Sequence, residues 1–164
     1  MKRLATTATL VGALIATAVA AAPAMARDTI GVWNRWAAFS DPSPRRCFAI
    51  AQPVDPDHRA GFASIANWPG QNIRGQLHIR LSRGRAGNAR VTLSIGERRF
   101  ELVAGTDDAW APDSRTDAAI VAAMRGGRSM SIEGLGRDGS AFADVHALSG
   151  AATAIDAAAL VCRG

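Results

Sequence analysis

Lysine and tyrosine are almost missing from this chain of 164 residues: Lys2 is its one lysine, it has no tyrosine, and it has only 2 cysteines. With so little to titrate between histidine and arginine, a small arginine excess is enough to carry the pI to ≈ 10.8. The high pI is therefore no mark of a nucleic-acid binder, and no nucleic-acid partner is expected. The longest apolar stretch, residues 10–19, falls short of the roughly 20 residues a lasting membrane span requires, so no stable transmembrane span is expected either. A Gly-x-Ser-x-Gly elbow is absent, no glycine-rich phosphate loop precedes a helix, and no two histidines stand at metal-ligand spacing. The commonest sequence signatures of hydrolases, nucleotide binders and zinc enzymes are thus excluded. No catalytic residue, cofactor or metal is assigned.

What the chain does have begins at its N-terminus. Lys2 and Arg3 give a positive start, residues 10–19 an apolar middle, and Ala24-Met25-Ala26 a small-x-small cleavage site, the layout of a secretory signal peptide. Residues 1–26 are expected to be removed, leaving residues 27–164 as one domain with its own core, in the periplasm or at the outer membrane. With Lys2 and Arg3 set aside, 17 arginines face 14 acids, and the net charge falls from +5 to +3. In an oxidising compartment Cys47 and Cys162 are expected to form a disulfide that ties an early strand to the C-terminal helix.

Period-two alternation runs through the middle of the sequence. In residues 76–82, Leu77, Ile79 and Leu81 share one face while His78, Arg80 and Ser82 share the other. Residues 91–95 repeat the pattern and connect to residues 99–103 through Gly96-Glu97. Residues 129–133 and 141–148 form a further pair, and earlier strands are expected at 32–39, 46–52 and 62–67. About eight short strands predict a mainly β fold, an antiparallel sandwich. Two helices interrupt it. Ser114 as N-cap and Asp117 three residues on approximate a capping box for the first, and Ser149 caps a second that runs to about Val161.

Charge is unevenly distributed. Residues 74–99 hold seven arginines and one acid, Glu97, while the rest of the domain is net acidic. This segment reads as a hairpin in which Arg80, Arg83, Arg85 and Arg90 form a candidate anionic-surface site. The rival chemistry lies in Asp144 and His146, two residues apart on one strand face, where a carboxylate can orient an imidazole for a small hydrolase or a metal site, with His78 as a possible third group. Asp55-Pro56-Asp57-His58 is a weak cation-binding pattern, and Trp68 is the aromatic best placed for a loop to present outward.

Trp36, Cys47-Phe48-Ala49-Ile50, the aliphatic segment 77–103, the helix 117–124, the strand 130–132 and the closing residues 148–155 together resemble the invasion-associated locus B family, small exported proteins of alphaproteobacteria. The resemblance implies an immunoglobulin-like β-sandwich with two short helices, located in the periplasm or at the outer membrane, and in some pathogens linked to host-cell invasion. It brings no catalytic residues. Family members often carry cysteines just before the first helix, where this chain reads Asp107-Asp108-Ala109-Trp110-Ala111-Pro112-Asp113, so their disulfide pattern is not transferred. The resulting expectation is a non-enzymatic, exported binding module whose partner is an envelope protein or the anionic envelope surface.

Overall fold

The computed structural model describes residues 27–163; the expected leader, residues 1–26, lies outside them. The fold is mainly β and sandwich-like. Its strands are β1 (Asp28–Trp33), β2 (Trp36–Pro42), β3 (Arg45–Ala51), β4 (Phe62–Trp68), β5 (Ile73–Arg80), β6 (Val91–Ile95), β7 (Arg98–Ala104), β8 (Asp108–Trp110), β9 (Ser129–Leu135) and β10 (Ala141–Ala147), with helices α1 (Ser114–Gly126) and α2 (Ala151–Val161). All pairings are antiparallel, in the order β1-β2-β3-β4-β5-β8-β7-β6-β9-β10. Strand β7 is the link between layers, pairing with β8 on one side and β6 on the other.

Alternation positions the core. Leu77 and Ile79 of β5 are fully buried while Arg80 faces solvent, and Val91, Leu93 and Ile95 do the same for β6. These side chains meet Ile132 of β9, Ile120 and Met124 of α1 and Ile155 of α2 in one continuous core. Both helices belong to that core, as short alanine-rich helices must if they are to persist in water.

Four local expectations are corrected. Residues 32–39 are not one strand but the join of β1 and β2, because Asn34 takes a left-handed conformation (φ 53°) and Trp33 pairs with Trp36 across a two-residue turn. Strand β8 was not expected; three residues are too few for a period to register. It lies between β5 and β7, and β7 lies next to β6, so two strands part β5 from β6 and residues 74–99 do not form one hairpin. In α1 the N-cap is Asp113, whose Oδ1 accepts the Thr116 N–H at 2.7 Å, and not Ser114. Helix α2 starts after Gly150 (φ 88°) and not from a Ser149 cap: a Cβ at Gly150 would collide with the Trp33 carbonyl.

Asp117 has a different task from the capping box. Strand β8 pairs only with residues 78–80 of β5, and the open edge beyond leaves the Leu77 N–H without a strand partner. The Asp117 carboxylate accepts it at 2.8 Å and fixes α1 against β5. Burial pushes this carboxyl above the ordinary aspartate range, opposed by the Leu77 N–H. At the far end of α2, Cys162 is bonded to Cys47 of β3, with Cα atoms 5.7 Å apart and 115 residues between them in sequence. Among the described residues no helix is long and apolar enough to cross a membrane.

Candidate functional site

The Asp144 and His146 pair faces the interior. Strand β10 buries Phe142, Asp144 and His146 and turns Ala141 and Ala143 outward, so the polar residues lie on its core side. Asp144 Oδ2 accepts the Ser82 N–H at 2.8 Å, which anchors the end of β5. Its Oδ1 lies 3.1 Å from Nδ1 of His58, whose Nε2 is 3.3 Å from the Arg83 guanidinium. The His58 and Asp144 atoms are close without good hydrogen-bond alignment. Neither ring nitrogen of the fully buried His146 has a well-formed hydrogen bond. Burial pushes its imidazole down to about 4, partly offset by the backbone of Gln52. Asp144 therefore joins an interior polar seam between β10, the end of β5 and the 3-10 turn Pro56–His58, and His146 is fully buried on the same face of β10.

The other polar candidates are occupied as well. Asp55 caps that 3-10 turn, accepting the Asp57 N–H at 2.9 Å. His78 sits on the outer face of β5, its Nε2 2.8 Å from Asp108, and stacks on Trp110 with centroids 5.2 Å apart and planes 8° off parallel. No group of three histidines, cysteines or acids among the described residues could hold a metal ion. Trp68, at the end of β4, is half-buried beneath the Arg46 guanidinium.

The four arginines proposed for an anionic surface are not equivalent. Arg80 is paired with Asp108 at 2.8 Å. Arg85 donates to the carbonyls of Ala89, Ala104 and Gly105 at 2.7–2.9 Å, so most of its guanidinium is spent holding its own loop. Arg83 is exposed beside His58 and Phe142, and Arg90 is 82% exposed with a loose contact to Glu101 at 3.9 Å. With β5 and β6 parted by two strands, the positive charge of residues 74–99 is dispersed and not gathered on one hairpin.

A concave surface lies elsewhere among the described residues, between α1 and α2. A groove of about 580 Å³ runs over the start of β5, within the roughly 300–1,000 Å³ typical of small-molecule sites. Its apolar lining comes from Ile73, Ala118, Val121, Ala122, Ile155 and Ala159. Arg74, Arg125 and Arg163 also line it, against a single carboxylate, Asp156. Arg125 and Asp156 bridge the two helices in a two-pronged ion pair of 2.6 and 2.9 Å, whose hydrogen bond raises the arginine and lowers the acid. Cys162 lines the same groove, so the disulfide fixes the end of its α2 wall. Sequence reading missed this site because its lining is drawn from three distant segments and no one of them carries a motif. The available signal was the helical spacing of Ala118, Val121, Ala122 and Arg125, a second face of α1 beside the one that buries Asp117, Ile120 and Met124.

No protein-family model matches the sequence, and no curated protein matches it. Among solved structures, the chain is similar to the crystal structure of invasion associated protein B from Bartonella henselae, with a TM-score of 0.63 and 17% identity over 83% of this chain and 99% of that one. At that identity the likeness establishes a shared fold, the one the sequence resemblance implied.

Proposed function

We propose that this chain is an exported, non-enzymatic binding module of the bacterial envelope, of the invasion associated protein B type. The observation that carries the reading is the groove between α1 and α2. It is open, apolar within and rimmed by arginine, and its lining has no histidine, no free thiol and no hydroxyl nucleophile. Such a surface suits recognition of a ligand, and the one carboxylate in its lining, Asp156, is taken up by Arg125. The signal-peptide layout of residues 1–26 and the disulfide between Cys47 and Cys162 both support export to an oxidising compartment. The burial of Asp144 and His146 supports binding over hydrolysis, since a general acid or base must reach its substrate.

The test is site-specific photocrosslinking in intact cells. A photoreactive side chain replacing Val121 should give discrete adducts in the envelope fraction, and the same group at Thr92, on the β6 strand away from the groove, should not. Equal labelling from both positions, or recovery of the protein only from the cytoplasm, would overturn the reading.

A further inference from the structure

We infer that the groove between α1 and α2 binds the acyl chain of a single-chain anionic amphiphile of the fatty-acid class, with its carboxylate held by the arginines at the rim. The inference rests on the binding reading above and adds the chemistry of the ligand. Two features of the groove select that chemistry. First, the helical walls carry aliphatic side chains, Val121, Ala118 and Ala122 on α1 and Ile155 and Ala159 on α2, with Ile73 of β5 and the amides of Asn67 and Asn72 completing the lining. Each methylene of an alkyl chain buried against such walls adds to the affinity, so a chain of moderate length is favoured over a compact polar metabolite. Second, the charge balance is uneven. Three arginines share the single Asp156, and that acid is already engaged by Arg125. Arg74 has no ion-pair partner among the described residues. A guanidinium in this position can meet a carboxylate with two parallel hydrogen bonds.

The charge also argues against the nearest alternative occupant, the chain's own apolar N-terminal segment. That segment begins with Lys2 and Arg3, the same sign as the rim. A neutral amphiphile would fill the walls but leave the arginines unanswered.

The experiment is a titration of the purified disulfide-bonded protein with dodecanoate below its micelle concentration, followed by calorimetry. Dodecanol, dodecyl maltoside, acetate and a peptide of residues 1–22, which carries Lys2 and Arg3, serve as comparison ligands. Saturable one-to-one binding of dodecanoate is expected, with dodecanol and the maltoside at least tenfold weaker and acetate undetectable. Ala122→Trp should abolish binding by filling the groove. The exposed double change Arg74→Glu and Arg163→Glu should weaken dodecanoate at least tenfold and leave dodecanol unchanged, an outcome that does not depend on how well the tryptophan variant folds. Absence of saturable dodecanoate binding, equal affinity for dodecanol, or tighter binding of the peptide would each overturn the inference. Such a failure would leave the envelope adducts from Val121 standing, so the ligand class and the binding role are judged separately.

Discussion

Reduction of the Cys47–Cys162 disulfide should cost the protein a large share of its stability and disarm the groove at the same time. The bridge joins residues 115 apart. Loop closure over that separation removes unfolded-state entropy equivalent to about 5 kcal/mol at room temperature, an upper figure because measured disulfides commonly deliver less. Set against a total of roughly 5–15 kcal/mol for a domain, even 3 kcal/mol is severe, and it corresponds to a fall in Tm of about 10 °C for a chain of this size. The mechanism gives a specific signature. Because the effect acts on the unfolded chain, urea unfolding with reductant should show a lower midpoint and a steeper slope, as the released chain exposes more surface. Locally, Cys162 ends α2, so its release frees the C-terminal turn that places Arg163 at the rim. The double change Cys47→Ala and Cys162→Ala should therefore match the reduced protein in stability and bind dodecanoate more weakly at a temperature where it is still folded. A loss under about 1 kcal/mol on reduction, with an unchanged slope, would refute the entropic argument. Unaltered ligand binding in the folded double variant would refute the coupling of the disulfide to the groove.

Stability should decline in acid because of His146. Its folded pKa of about 4 lies below the ordinary value of 6.5, so the unfolded state takes up the proton first. The stability it secures is complete above about pH 6.5 and is lost as pH falls towards 4, by about 3 kcal/mol in all. Urea midpoints from pH 7 to 4 measure this decline, and in His146→Phe its contribution should vanish. Asp117→Ala strands the Leu77 N–H beneath α1 and should cost about 1–3 kcal/mol by thermal unfolding, while Asp117→Asn, which keeps an accepting oxygen, should cost less. Gly150→Ala should destabilise by at least about 1 kcal/mol, since it combines a positive φ with a collision against Trp33. Any preference for anionic vesicles should be weakened by Arg83→Glu with Arg90→Glu and by added salt, whose screening length is about 8 Å at physiological strength. Arg85→Ala, in contrast, should lower Tm without changing vesicle sedimentation.

The fold class was legible because it depends on local pattern. Alternation in residues 76–82 and 91–95 made Leu77, Ile79, Val91, Leu93 and Ile95 a buried face whatever their neighbours turned out to be, and the structure buries all five. The cysteine pair was legible by elimination, since an oxidised chain with two thiols has one intramolecular way to join them. What sequence could not supply was adjacency. Both β7 and the three-residue β8, which carries no periodic signal, stand between β5 and β6, so their arginines do not share one hairpin. Alternation likewise puts Asp144 and His146 on one face of β10 but does not say which face points inward. That was decided by the Ser82 N–H and by His58, groups more than 60 residues away in sequence. The groove is the clearest case. Ile73, Val121 and Ile155 lie in three separate segments, each of which reads alone as an ordinary core residue, and only the packing of two helices over the open edge of β5 leaves them facing a shared space. Sequence determines which faces are apolar; whether those faces meet each other or leave room for a ligand depends on tertiary distances that local pattern does not encode.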